Sequence, residues 1–171
     1  KLLGPIPSIN PKLTRAKVIE SYLPSLKMQG VSARGEIIYS QRCASCHRGS
    51  KQGFALGPDL VTMKSHGAEK LLANLIDPSR EIAADFVTYE VRTGKETLFG
   101  LLANETTSHL TIRFPFGKSV TLERKDVHGM KSHGASIMPA GLEEGLDHQS
   151  MADLLAFLVD PEQATSAKKE E

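Results

Sequence analysis

Tyr39-Ser-Gln-Arg-Cys-Ala-Ser-Cys-His47 is the stretch on which the reading of this chain turns. It holds both cysteines of the 171-residue sequence, Cys43 and Cys46, with His47 directly after them. Two thiols separated by two residues on one helical turn can reach the two vinyl groups of a haem and form thioethers. The adjacent imidazole is then delivered to the iron as an axial ligand. Three other readings compete. A structural zinc site wants four ligands, and only scattered histidines remain to complete one. A thioredoxin-like redox pair follows a strand in a βαβ unit, whereas the residues before Cys43 read as helix. The third is two unrelated buried thiols beside a histidine.

Upstream of this stretch, Ser32 is placed to cap a helix running to Cys43, with Gly35 and Tyr39 one turn apart on one face. Before it, Pro5, Pro7 and Pro11 mark an extended lead-in, and Asn10-Pro11 opens a short helix over 11–22 that stops at Leu23-Pro24. Downstream, Gly49, Gly53, Gly57 and Pro58 make 48–59 a loop. A helix from Ser65 carries Leu71, Leu72, Leu75 and Ile76 at helical spacing and ends at Asp77-Pro78.

The period then changes. Val87, Tyr89 and Val91 alternate, followed by Leu98, Gly100 and Leu102, by Leu110, Ile112 and Phe114, and by Val120 and Leu122. About four short antiparallel strands follow from this pattern, as a small β-barrel or a curled sheet. Helix returns after Asp147, with Met151, Leu154, Leu155 and Leu158 on one face, until Asp160-Pro161; the tail 164–171 is polar. Met63-Lys-Ser-His-Gly-Ala68 recurs letter for letter as Met130–Ala135, but the flanks differ, so it is no structural repeat.

Composition limits the function classes. Lys plus Arg is 21 against 20 Asp plus Glu, a formal charge of +1, which excludes the basic footprint of a nucleic-acid binder. No run approaches the ~20 apolar residues of a membrane-spanning helix. Two cysteines cannot make a disulfide scaffold. The absence of an initiator Met reads as a processed or trimmed start. Aromatics are only 5% of the chain, with no Trp, so another group must supply bulk to the core.

Taken together, the quoted stretch, Leu56-Gly-Pro-Asp-Leu60, Leu71-Leu-Ala-Asn-Leu-Ile-Asp-Pro-Ser79, Ser136-Ile-Met-Pro-Ala-Gly-Leu142 and Asp153-Leu-Leu-Ala-Phe-Leu158 resemble a c-type cytochrome. More narrowly, they resemble the haem-binding domain described in planctomycetes and verrucomicrobia, over about residues 15–159. The resemblance implies a mainly α fold, a cytochrome c helical core with an inserted small antiparallel β subdomain, an SH3-like barrel or curled sheet. Its divisions are an N-terminal extension (1–31), the haem-attachment half (32–85), the inserted sheet (86–128), the distal loop and last helix (129–160) and a polar tail (161–171).

It also implies one haem c bound through Cys43 and Cys46, proximal ligation by His47 and distal ligation by Met138. By the same resemblance the Pro58 carbonyl is expected to accept the free N–H of the proximal imidazole, with Tyr39 and Leu60 completing the haem-binding set. Gly35 and Tyr39 match positions that cross the last helix near Phe157. The porphyrin then replaces the missing aromatics. His133 stands where the family more often has a small polar residue, and the Trp that supports a propionate in many small cytochromes is absent.

For the sixth ligand, Met138 is distinguished by Pro139 and the Ala140-Gly141 loop that follows, whereas Met63, Met130 and Met151 read as core. His133, His128 and His66, or an open position, are the alternatives; His109 and His148 read as surface. Arg80, Arg113 and Arg124 are candidates to neutralise haem propionates. The inserted sheet is read either as cover for the haem or as a docking surface or dimer contact.

The expected function is electron relay between redox protein partners, including a fused or associated dehydrogenase, with no enzymatic activity of its own. The alternative is a ligand-binding or sensing haem domain with weak peroxidase activity. Covalent haem attachment is completed outside the cytoplasm, so a periplasmic or exported location is expected.

Overall fold

A computed structural model describes residues 14–49 and 52–160, without the side chains of Val61 and Lys64. The proline-rich lead-in, the Asn10-Pro11 helix start and the polar tail lie outside the described residues. Helix α1 spans Arg15–Tyr22 and runs into a 3-10 turn over Leu23–Lys27. Pro24 therefore does not simply stop the chain; it sits in the first turn of that 3-10 helix, where its missing N–H forfeits no intrahelical bond.

Helix α2, Ser32–Arg42, starts where expected, but Ser32 is not its cap. Val31 holds the cap position, and its N–H is accepted by the Asp153 carboxylate at 2.8 Å. The Ser32 hydroxyl instead donates to the Asp160 carbonyl. No side chain caps α2; the Arg34 and Gly35 N–H groups bond to the Val31 carbonyl instead. Helix α3 is a single turn, Leu60–Met63, followed by a 3-10 turn and by α4 over Gly67–Ile76, so helix begins five residues before the expected Ser65. Helix α5, His148–Val159, has the expected Asp147 cap, whose carboxylate accepts the Ser150 N–H at 2.7 Å.

The helical core forms where α5 lies across α2 and α4. Leu71, Leu72, Leu75 and Ile76 of α4 and Met151, Leu154, Leu155 and Leu158 of α5 are buried there with Tyr39, Cys43 and Phe157. The crossing depends on Gly35. A Cβ there would overlap the Asp153 carbonyl and lie 2.8 Å from the Phe157 Cβ, so the helices meet at backbone distance. The Tyr39 and Phe157 rings then pack 5.0 Å apart, as the family comparison implied.

Asp153 closes the same joint from the side and is 3% exposed. Burial on its own raises the pKa of its carboxyl. Hydrogen bonds from Arg34, Val31 N–H and Gln149 outweigh that and hold it below the ordinary carboxylate range. A group bound more tightly as carboxylate in the folded state contributes stability above its unfolded pKa of about 3.9 and loses it as pH falls through the lower folded value. Urea midpoints measured from pH 6 to pH 2 should therefore fall more steeply for the native sequence than for Asp153→Asn, which already lacks the charge. Parallel curves would contradict this role for Asp153.

After Ile76 the chain builds a five-stranded antiparallel sheet. Its strands are β1 (Val87–Thr93), β2 (Thr97–Glu105), β3 (His109–Arg113), β4 (Ser119–Glu123) and β5 (Val127–Ser136), in the order β4-β3-β2-β1-β5. Two expectations need correction. The fifth strand carries the sheet eight residues past the expected boundary at 128, and it contains the second copy of the repeated hexapeptide. The described residues are 40% helix with a sizeable sheet, so "mainly α" does not describe them as a whole.

Val91, Leu110 and Ile112 form the buried centre of the sheet, flanked by Tyr89, Leu98, Leu102, Phe114, Leu122, Val127 and Met130. Register shifts at Val87/Tyr89, Arg92/Thr93 and Leu102/Asn104 are the kind that bend and twist strands. β4 and β5 are the two edges, so the sheet is open rather than a closed barrel.

Candidate functional site

The last turn of α2 delivers Cys43, and a further turn places Cys46 and His47; both the Cys46 and His47 N–H groups bond to the Cys43 carbonyl. The loop that follows folds back onto this turn. Phe54 N–H donates to the Ala44 carbonyl, Leu56 and Gly57 N–H to the Cys46 carbonyl, and Leu60 N–H to the Arg48 carbonyl. The buried Tyr39 hydroxyl donates to the His47 carbonyl at 2.6 Å and fixes the turn from behind. Burial pushes the Tyr39 pKa up to about 12, so it remains a donor across the physiological range.

His47 is 8% exposed, and its Nδ1 lies 2.9 Å from the Pro58 carbonyl. A carbonyl only accepts, so Nδ1 carries the proton and Nε2 keeps its lone pair. Burial lowers the imidazole pKa against the opposing effect of the Pro58 bond, which favours the neutral ring that a metal requires. Gly57 completes the seat. A Cβ there would stand 2.5 Å from Cε1, 2.8 Å from Nδ1 and 3.0 Å from Nε2 of His47. The ring lies directly on the chain at Gly57, a contact that the sequence reading missed; the Gly-Pro step was the available signal.

The two cysteines are unbridged, Cys43 buried and Cys46 half-buried. Burial pushes the Cys43 thiol up to about 12, far from the depressed value of a reactive redox cysteine. The pair follows a helix, not a strand. Among the described residues no three His, Cys, Asp or Glu side chains converge to hold an ion, which counts against the zinc reading. A Cys-x-x-Cys-His turn with a buried, oriented, neutral imidazole fits covalent haem: the cysteines would hold the vinyl edge and His47 Nε2 the iron.

Met138 follows β5 by two residues. It is half-buried, and its N–H donates to the Ser136 hydroxyl at 3.2 Å. It packs against the helical core, as do Leu60, Met63, Leu142 and Leu146. The segment after it is tied down from three directions, none of them anticipated from sequence. Arg15 bonds the buried Glu143 carboxylate at 2.5 Å, the Tyr22 hydroxyl reaches the Glu143 and Leu146 carbonyls, and Arg42 donates to the Leu142 and Glu144 carbonyls. Met151 is fully buried in the helical core and Met130 packs in the sheet, as expected of core methionines.

The histidines offered as alternative ligands have other settings. His133 stands on β5, 3.0 Å from the Glu90 carboxylate and beside Phe99, and His128 is exposed on the same strand. His66 is exposed in the 3-10 turn before α4. His109 bonds Ser108, and His148 bonds the Ser21 carbonyl, both at the surface. Of the three arginines, Arg124 pairs with Glu105 at 2.6 Å and Arg113 donates to the Ala55 carbonyl.

The sheet is docked on the attachment loop through that Arg113 bond and through Phe116 N–H, which donates to the Ser45 carbonyl at 2.7 Å. A cavity of about 550 Å³ lies between the loop and the sheet, lined by Leu56, Gly57, Pro58, Phe86, Leu102 and Arg113 among others. Neither cysteine nor His47 is in its wall.

Comparison with known proteins agrees with this geometry. Residues 32–97, which contain the cysteine pair, His47, Pro58, α4 and β1, match the family model described as Cytochrome c. The match covers less than half of the chain and supports a c-type cytochrome; domains of that family bind haem iron and work as electron carriers with redox partners. No curated protein matches the chain. Met138 and α5 lie outside the matched residues. No helix among the described residues is long and apolar enough to cross a membrane.

Proposed function

We propose that this chain is an electron-transfer domain with one haem c held through Cys43 and Cys46, His47 as proximal ligand and Met138 as distal ligand. Bound there, the haem supplies an iron that takes up and releases one electron without substrate chemistry. The residues of the chain set the conditions. Pro58 holds the His47 tautomer and orientation, Gly57 leaves room for the ring, and Tyr39 locks the carbonyl of the same residue. The helical core buries Cys43 at the start of the attachment turn. Arg15, Tyr22 and Arg42 restrain the segment that follows Met138. His/Met ligation raises the potential relative to His/His, which suits relay.

The observation that carries the reading is the 2.9 Å His47–Pro58 bond on a buried ring directly after the cysteine pair. The resemblance to the planctomycete and verrucomicrobial domain supports a location outside the cytoplasm and donor and acceptor proteins that include a dehydrogenase. Film voltammetry of the purified holoprotein is expected to show one reversible one-electron couple. Mass spectrometry is expected to show one haem retained after denaturation and lost in a Cys43→Ser/Cys46→Ser variant. Absence of a reversible couple would overturn the proposal.

A further inference from the structure

The hairpin between β3 and β4 carries a feature to which the proposed function assigns no role. Phe116 has φ +63° and Gly117 φ +68°, the left-handed pattern of a tight hairpin turn that favours Asn-Gly. A bulky aromatic residue is an outlier there, and such outliers gather at functional positions. Its ring is not buried in compensation: Phe116 is 61% exposed, edge-on to Phe54 at 6.0 Å, and Phe54 is itself 40% exposed. The Phe116 N–H bond to Ser45 fixes this pair one residue from Cys46.

Cations surround the pair. Arg48, Arg113 and Lys118 line a concavity of about 320 Å³ together with Phe54 and Phe114, and among the described residues no carboxylate stands in its wall. Asp59 and Asp85 line the neighbouring cavity, which Arg113 shares. None of the three cations is in a salt bridge among the described residues, and the Arg113 Nε is buried without a hydrogen-bond partner. The chain as a whole carries only +1, so any steering is local to this face.

We infer that Phe54 and Phe116, ringed by Arg48, Arg113 and Lys118, form the docking surface for an acidic electron-transfer protein. The assignment rests on the electron-carrier reading and names the chemistry of its partner. Protein interfaces place aromatic anchors at the centre and charge at the rim, where it sets encounter rate and register. A partner carboxylate entering the concavity meets three donors, while its apolar surface covers the two rings.

The test uses reduced holoprotein in stopped flow with two one-electron oxidants of opposite charge, hexacyanoferrate(III) and tris(phenanthroline)cobalt(III). The hexacyanoferrate rate should fall with added salt, and Arg48→Glu/Lys118→Glu should lower it about tenfold while raising the cobalt rate. Opposite shifts cannot come from misfolding or from a changed potential. In NMR titration with a glutamate–tyrosine copolymer, amides of residues 48, 54, 113, 116 and 118 should broaden, and less so in Phe116→Ser. Charge-reversed rates that move together, or broadening confined to another face, would overturn the docking surface. A missing redox couple in the same sample would instead overturn the electron-carrier reading beneath it.

Discussion

Gly35→Ala will destabilise the fold by about 2 kcal/mol, although it places a better helix former inside α2. Helix propensity alone favours the alanine by about 1 kcal/mol. The new methyl group, however, overlaps the Asp153 carbonyl and presses on the Phe157 Cβ, and backbone on the facing helix cannot rotate aside. Overpacking of this kind costs on the order of 3 kcal/mol. The clash wins. Separating α2 from α5 also loosens the Tyr39–Phe157 contact and the Asp153 bonds to Arg34 and Val31, which share the joint. Urea denaturation followed by circular dichroism reads the change. A variant as stable as the native protein would show that the crossing is not set by Gly35.

Gly57→Val has its largest effect on the site. The residue lies in a loop and its φ is unremarkable, so the substitution acts through space. Its Cβ meets Cε1 and Nδ1 of His47 within 2.8 Å, and the imidazole must leave the Pro58 carbonyl to make room. The ring then loses the bond that fixes its tautomer and orientation. Loss of a hydrogen bond that orients a metal-binding imidazole weakens metal affinity about 10–100-fold. Ferric holoprotein of the variant is expected to be largely high-spin, or to carry much less haem, while far-ultraviolet circular dichroism still reports the helices. An unchanged spectrum would mean that the imidazole does not rest on Gly57.

Much of the helical half was legible because its signals are local. The Asp147 cap, the Asp77 stop and the apolar spacing of α4 and α5 each depend on residues within a turn or two. The cysteine pair and His47 were readable for the same reason, whereas the role of Pro58 came only from the family resemblance. The misreadings arise where a distant group intervenes. Ser32 has the right chemistry to cap α2, but its hydroxyl donates to the Asp160 carbonyl, more than a hundred residues away, and no side chain caps the helix. Arg15–Glu143 and the Arg42 bonds link segments with no mutual sequence signature.

The repeated hexapeptide is the sharpest case. Met63–Ala68 passes from helix through a 3-10 turn into helix, whereas Met130–Ala135 lies within β5. Six identical residues thus adopt two structures. Pairing with β1 decides the second copy, and its sequence carries no mark of that partner. The same blindness hid the fifth strand and left the sheet short at residue 128.

The central claim is a low-spin haem between His47 and Met138, and optical spectroscopy tests it most directly. Ferric and ferrous holoprotein should be recorded, with carbon monoxide added last, for the native sequence and for Met138→Ala. The account predicts a low-spin ferric spectrum with the weak far-red band of thioether ligation, no carbon monoxide shift, and loss of both properties in the variant. A high-spin native spectrum, rapid carbon monoxide binding, or a far-red band that survives Met138→Ala would contradict it.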